Sequence, residues 1–186
     1  DLLQQAGGGN HTLGFKLSAN EITYSLGELG DNTLRSVPVY VDELSGFRFF
    51  FVKLPIQYLA HDAHINPRSI GPNISKLVEE FHQKRPQLHV PLAWMKSEGG
   101  KSSVHVFDGQ HKAAAQIMLG VRALPVRVFI DPDPDTLITT NTNAGTTLKQ
   151  VAFDKSVQRH LGSSLYQDRI RRGYADHMSR YRRWSG

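Results

Sequence analysis

Residues 104–120 read VHVFDGQHKAAAQIMLG, and this stretch constrains the fold most because the hydrophobic period changes inside it. Val104, Val106 and Phe107 suit a strand, whereas Ala113, Ala114, Ile117 and Met118 make one helical face that Gly120 closes. Between them stand Asp108, Gly109, Gln110, His111 and Lys112, so polar groups gather where strand gives way to helix. A helix N-terminus presents unsatisfied N–H groups and a partial positive charge, which suits a phosphate. The spacing predicts an anion or nucleotide site at 108–112.

A strand is expected next at 123–130, so that strand, helix and strand form a right-handed crossover if both strands join one sheet. Ahead of the stretch, β-prone pieces lie around 15–17, 22–24, 37–41 and 47–52, and the last two suit a hairpin with 42–46 as its loop. Phe49, Phe50, Phe51 and Val52 read as a buried strand, and residues 1–10, ending in Gly7, Gly8 and Gly9, as a loose leader. Residues 54–68 begin as a short helical turn and run into a polar loop. A helix is predicted over 73–84, with Asn73 as N-cap and Ile74, Leu77, Val78 and Phe81 facing inward. An extended segment at 88–94 and a Gly/Ser-rich loop at 96–103 complete the approach to the central stretch.

The 186 residues suffice for one domain with a small appendage. The expected division is an α/β domain with a mixed sheet and N-terminal strand extension over 1–135, then a basic helical segment over 136–186. No apolar run approaches the roughly eighteen residues of a membrane span, and no secretory pattern is visible, so a cytoplasmic protein is expected. With no cysteine, thiolate catalysis, disulfides and cysteine metal sites are excluded. The net charge of +5 favours an anionic partner such as nucleic acid. In the C-terminal segment Arg159, Arg169, Arg171, Arg172 and Arg180 are interleaved with Tyr166, Tyr174, Tyr181 and Trp184. That mixture suits phosphate contact and base stacking, and it equally suits a solvated face with aromatic anchors.

Other constellations carry less chemistry. His61, Asp62 and His64 resemble a zinc cluster without a fixed fourth ligand, and the carboxylates of 131–135 either close a turn or hold a divalent cation. Ser69 and Ser75 lack a histidine partner at readable spacing, so no serine triad is supported. Asp108 has three candidate roles: helix N-cap, metal ligand or base. His111 suits a proton-exchanging or a structural imidazole, Gln110 can orient a phosphate, sugar or water, and Lys112 is either phosphate-directed or a surface lysine.

The order of segments from 54 to 130 resembles the ParB/sulfiredoxin-like superfamily, and within it the DGQHR-type proteins linked to DNA modification and defence. The resemblance is carried by LPIQYLAHDAHINPR, by the DGQHK turn, and by Gly120 followed by Pro125, Val126 and Val128. It implies a ParB-like fold in which Gly109, Gln110, His111 and Lys112 hold nucleotide phosphates, joined by Asn66 and Arg68 from the neighbouring loop. It also implies DNA or a nucleotide such as ATP or CTP as ligand, with Mg²⁺ if Asp108 is a metal ligand. Nuclease or nucleotide-hydrolysing activity would use Asp108, His111 and Lys112. Gln110 stands where the sulfiredoxin-like branch has cysteine and the CTP-hydrolysing branch has glutamate, and Lys112 replaces the usual arginine. Two other functions fit the resemblance: a DNA-binding regulatory module without turnover, acting as a homodimer or with a defence-system partner, and a nucleotide-dependent small-molecule kinase.

Overall fold

The computed structural model describes residues 2–62, 64–65, 74–84, 86 and 89–141. The chain divides into two compact units, Asp1–Ile138 and Thr139–Gly186, and every strand among the described residues belongs to the first. In chain order the elements are helix α1 (Leu2–Gln5) and strands β1 (Leu13–Leu17), β2 (Glu21–Leu26), β3 (Asp31–Pro38), β4 (Tyr40–Val41), β5 (Arg48–Pro55) and β6 (Leu59–His61). Then come helix α2 (Ile74–His82), β7 (Leu92–Met95), β8 (Lys101–Ser102), β9 (Val104–Asp108), helix α3 (Gln110–Met118) and β10 (Ala123–Ile130). No helix among the described residues is long and apolar enough to cross a membrane.

Two sheets form a mixed α/β fold. One has four strands in the order β3-β2-β1-β8, the other six in the order β4-β5-β10-β7-β9-β6. The main core includes Leu13, Phe15 and Ile22 from the small sheet and Phe50, Val52, Val126 and Val128 from the large one, together with Ala113 and Ile117 of α3. Alternation produces this: along β5, Phe50, Val52 and Leu54 are buried while Phe49, Phe51 and Lys53 point away. The phenylalanine run is therefore buried on one face only, since Phe51 remains 50% exposed. The expected hairpin is present, with β4 antiparallel to β5 and Asp42 N–H donating to Phe47 O.

One expectation about connections is corrected. β9 and β10 join one sheet but are not a parallel crossover pair, because β7 lies between them, antiparallel to β9 and parallel to β10. Asp108 and Arg127 both register with Leu92, so the first residues of β10 run on beyond the end of β9. Helix α3 thus bridges to a strand that starts farther out instead of doubling back along β9. Pro125 is tolerated for the same reason. Arg127 N–H reaches Pro91 O on the β7 side, and Pro125, two residues earlier, points the same way past the end of β7.

The N-terminal residues are not a loose leader. Leu3 and Ala6 pack on the core, and Gly8 lies so close that a Cβ there would meet Leu3 O at 2.5 Å and Leu59 O at 2.9 Å. Three glycines are read more easily as slack than as close approach. Helix α2 matches its predicted face: Ile74, Leu77, Val78 and Phe81 are half-buried and its remaining residues through His82 are exposed. Its predicted cap, Asn73, lies outside the described residues.

Candidate functional site

The 108–112 turn is built by a steric constraint. Gly109 takes φ +80°, and a Cβ on it would fall 3.0 Å from Pro91 Cα and 3.3 Å from Pro91 Cβ. Only glycine meets both conditions without strain. Gly109 therefore occupies the N-cap of α3, and its carbonyl accepts the Ala113 N–H at 3.0 Å. The cap role considered for Asp108 is not observed. Asp108 ends β9, is exposed, and turns Oδ1 back to accept the Gly109 N–H at 2.8 Å. The backbone must pass through the left-handed region at 109, which shifts the cap one residue along the chain.

His111 and Lys112 are half-buried in the first turn of α3, and Ala113, Ala114, Ala115 and Ile117 are buried beneath it. Met118, expected on that face, is instead 54% exposed. Gln110 and His61 border a small apolar recess under the helix, of about 20 Å³, with Leu59, Val106 and Ile117 among its walls. That is room for about one water molecule and not for a nucleotide, so any phosphate at the turn is held from outside.

Strand β6 leads toward the polar loop expected beside the turn. β6 is parallel to β9 with His61 in register with Val106, and Asp62 N–H donates to Val106 O at 2.9 Å. The chain consequently leaves β6 at the sheet end where β9 runs into Gly109. Asn66 and Arg68 themselves lie outside the described residues, as do Arg159, Arg169, Arg171, Arg172 and Arg180.

No protein-family model matches the chain, and no curated protein matches it.

Three of the carboxylates considered as metal ligands, Asp62, Asp131 and Asp133, are engaged by protein donors. Asp62 is buried, its Oδ1 accepting the N–H groups of His64 and Ile65, and its Oδ2 accepting Trp94 Nε1–H at 2.6 Å. Burial alone would raise its pKa, but these donors outweigh that and hold it below the ordinary aspartate value. Asp131 accepts both the N–H and the hydroxyl of Ser97, and Asp133 accepts the N–H and hydroxyl of Thr136 at 2.9 Å and 2.5 Å. Asp133 thereby caps the helical residues 134–141, with Pro134 as the first of them. Among the described residues no group of three or more His, Asp or Glu side chains could hold a metal ion.

A larger cleft, of about 660 Å³, is one that sequence reading missed. It is lined by Asp62, His64, Trp94, Lys96, His105 and Asp131, among others, and its volume is in the range of small-molecule sites. The His105 ring stacks on Trp94 with centroids 4.6 Å apart. Burial lowers the His105 pKa; nearby Asp62 opposes that and Lys96 adds to it, so the neutral imidazole is favoured. Asp131 has a positive φ of 47°, unusual for a residue with a side chain. The signal for this cleft lay in long-range pairing: Trp94 and His105 meet only because β7 and β9 are adjacent.

Proposed function

We propose that this chain binds phosphate groups of DNA or of a nucleotide such as ATP or CTP at the 108–112 turn, and that its first unit is a ParB/sulfiredoxin-like domain of the DGQHR type. The observation that carries the reading is the geometry of Gly109. Pinned against Pro91 at φ +80°, it starts α3 with no side chain of its own to occupy the helix end. Lys112 supplies a cation in the first turn, and the loop that bears Asn66 and Arg68 departs from the same sheet end.

Binding is the part of the reading best supported. Asp108 is a single exposed carboxylate with one oxygen committed to Gly109 N–H. Mg²⁺ is commonly held by one or two carboxylates together with substrate phosphates, so Asp108 fits as one ligand with a phosphate present. The ion would supply charge neutralisation and activate water; Asp108 would hold it and Lys112 would orient the phosphate. A regulatory module without turnover is the second reading, favoured by Asp108 turning Oδ1 back to the neighbouring Gly109 N–H as a structural acceptor.

The test is binding of ATP, CTP and DNA with and without Mg²⁺, for the native protein and Lys112→Ala. Weakened binding with a shallower salt dependence is expected of the variant; unchanged binding by a folded Lys112→Ala protein contradicts the proposal. Product formation that needs Mg²⁺ and disappears in Asp108→Ala or His111→Ala would establish the enzyme, whereas binding without it would establish the module.

A further inference from the structure

The large sheet has a second face, opposite the one covered by α3. Val126 and Val128 of β10 face the core with Ala113 and Ile117, so Arg127 and Phe129 between them face the other way. Part of this second face is covered: Ile65, Phe107 and Leu137 form a small cluster there with Phe129 and Trp94 packed against it. Toward β5 and β4 the cover ends. Phe51 is 50% exposed and Tyr40 48% exposed, in a layer of rings already ordered by mutual contact. Tyr40 stacks on Phe49 at 5.7 Å, and Phe51 stands edge-on to Phe49 at 5.8 Å.

A cation is set into this layer. The Arg127 guanidinium lies 3.9 Å over the Phe49 ring and 4.8 Å from the Phe129 ring centre. Among the described residues its buried Nε has no hydrogen-bond partner, and no carboxylate comes within ion-pair distance of the guanidinium. Asp42 is close enough to feel its charge, but that carboxylate is turned to the N–H groups of Leu44 and Ser45. Phe51 is directly opposite Arg127 in register, and Lys53, exposed on the same face of β5, is the next residue along.

We propose that this face is a stacking platform for single-stranded nucleic acid, with bases on Phe51 and Tyr40 and phosphates met by Arg127 and Lys53. A purely apolar partner would leave the guanidinium charge buried without compensation, which disfavours it. Rigid exposed rings beside the cations Arg127 and Lys53 match the alternation of flat bases and anionic phosphates. Duplex DNA, its bases stacked internally, offers the rings nothing. The platform lies on the opposite face from the 108–112 turn and stands whether or not that turn binds phosphate.

The experiment is fluorescence anisotropy of the full chain with a labelled oligothymidylate, with unlabelled duplex of equal length as competitor. The native protein should bind the single strand in preference to the duplex. Phe51→Ala and Tyr40→Ala should each weaken binding about tenfold, the effect of one lost base stack. Both rings are half-exposed, so far-UV circular dichroism should remain native. Lys53→Ala should lower the salt dependence by about one counterion. Lys112→Ala should leave the Phe51-dependent part intact, which separates this surface from the turn. Absence of single-strand binding, binding indifferent to both ring variants, or self-association that Phe51→Ala abolishes without any oligonucleotide binding would each overturn the proposal.

Discussion

Gly109 is held against Pro91 so closely that a methyl group on its Cα would sit 3.0 Å from the proline Cα. Pro91 O in turn accepts the Arg127 N–H, so the contact ties the turn to the centre of the large sheet. Gly109→Ala combines a steric clash with an unfavourable φ and is expected to cost about 1–3 kcal/mol. Denaturant unfolding measures this. Because the clash is at the start of α3, ligand binding at the turn should fall with it, whereas Gly99→Ala, at φ +80° but facing open space, should cost less.

Trp94 is the donor that completes Asp62. Trp94→Phe keeps the ring but leaves Asp62 Oδ2 without its indole N–H partner, an expected loss of about 1–3 kcal/mol. The stack on His105 would persist in that variant, so thermal unfolding of Trp94→Phe and Trp94→Ala separates the hydrogen bond from the packing.

Acid should destabilise the fold in two stages. Burial lowers the His105 pKa below its usual 6.5, so the unfolded chain takes up that proton first; this contribution is complete above about pH 6.5 and is lost as pH falls toward the folded value. Asp62, with its pKa held down by Trp94, Ile65 and His64 against the effect of burial, contributes stability above about pH 4 that is lost below it. The thermal midpoint measured against pH should show both stages, and His105→Gln should remove the first alone.

Asp133 caps the helical residues 134–141 through Thr136 N–H and hydroxyl. Asp133→Ala should lower the thermal midpoint and Asp133→Ser should largely keep it, since serine also accepts from the first helical turn. Leu137, packed with Phe107 and Ile65, would be the first core residue released.

Local signals in the sequence carried much of this fold. β10 occupies the expected 123–130, α2 shows the predicted apolar stripe, and the change of period at Asp108 marks a real strand-to-helix junction. What was not legible depends on pairing between distant residues. Nothing near β9 reveals that β7 inserts between it and β10, so the local segment alone suggests a crossover that the sheet does not contain. Asp62 resembles a metal ligand in the sequence because the donor to its second oxygen, Trp94, lies thirty-two residues away. Asp108 resembled a cap because aspartate commonly is one; the close approach of Pro91, which gives that position to Gly109, has no local signature.

The central claim, phosphate binding at the 108–112 turn, is tested most directly by amide chemical-shift titration with CTP and with inorganic phosphate. If the account is right, the largest saturable shifts fall on the amides of Gly109, Gln110, His111 and Lys112, and Lys112→Ala weakens the titration. Shifts that leave these four amides unmoved while saturating elsewhere, or no saturable shift at all, would contradict it.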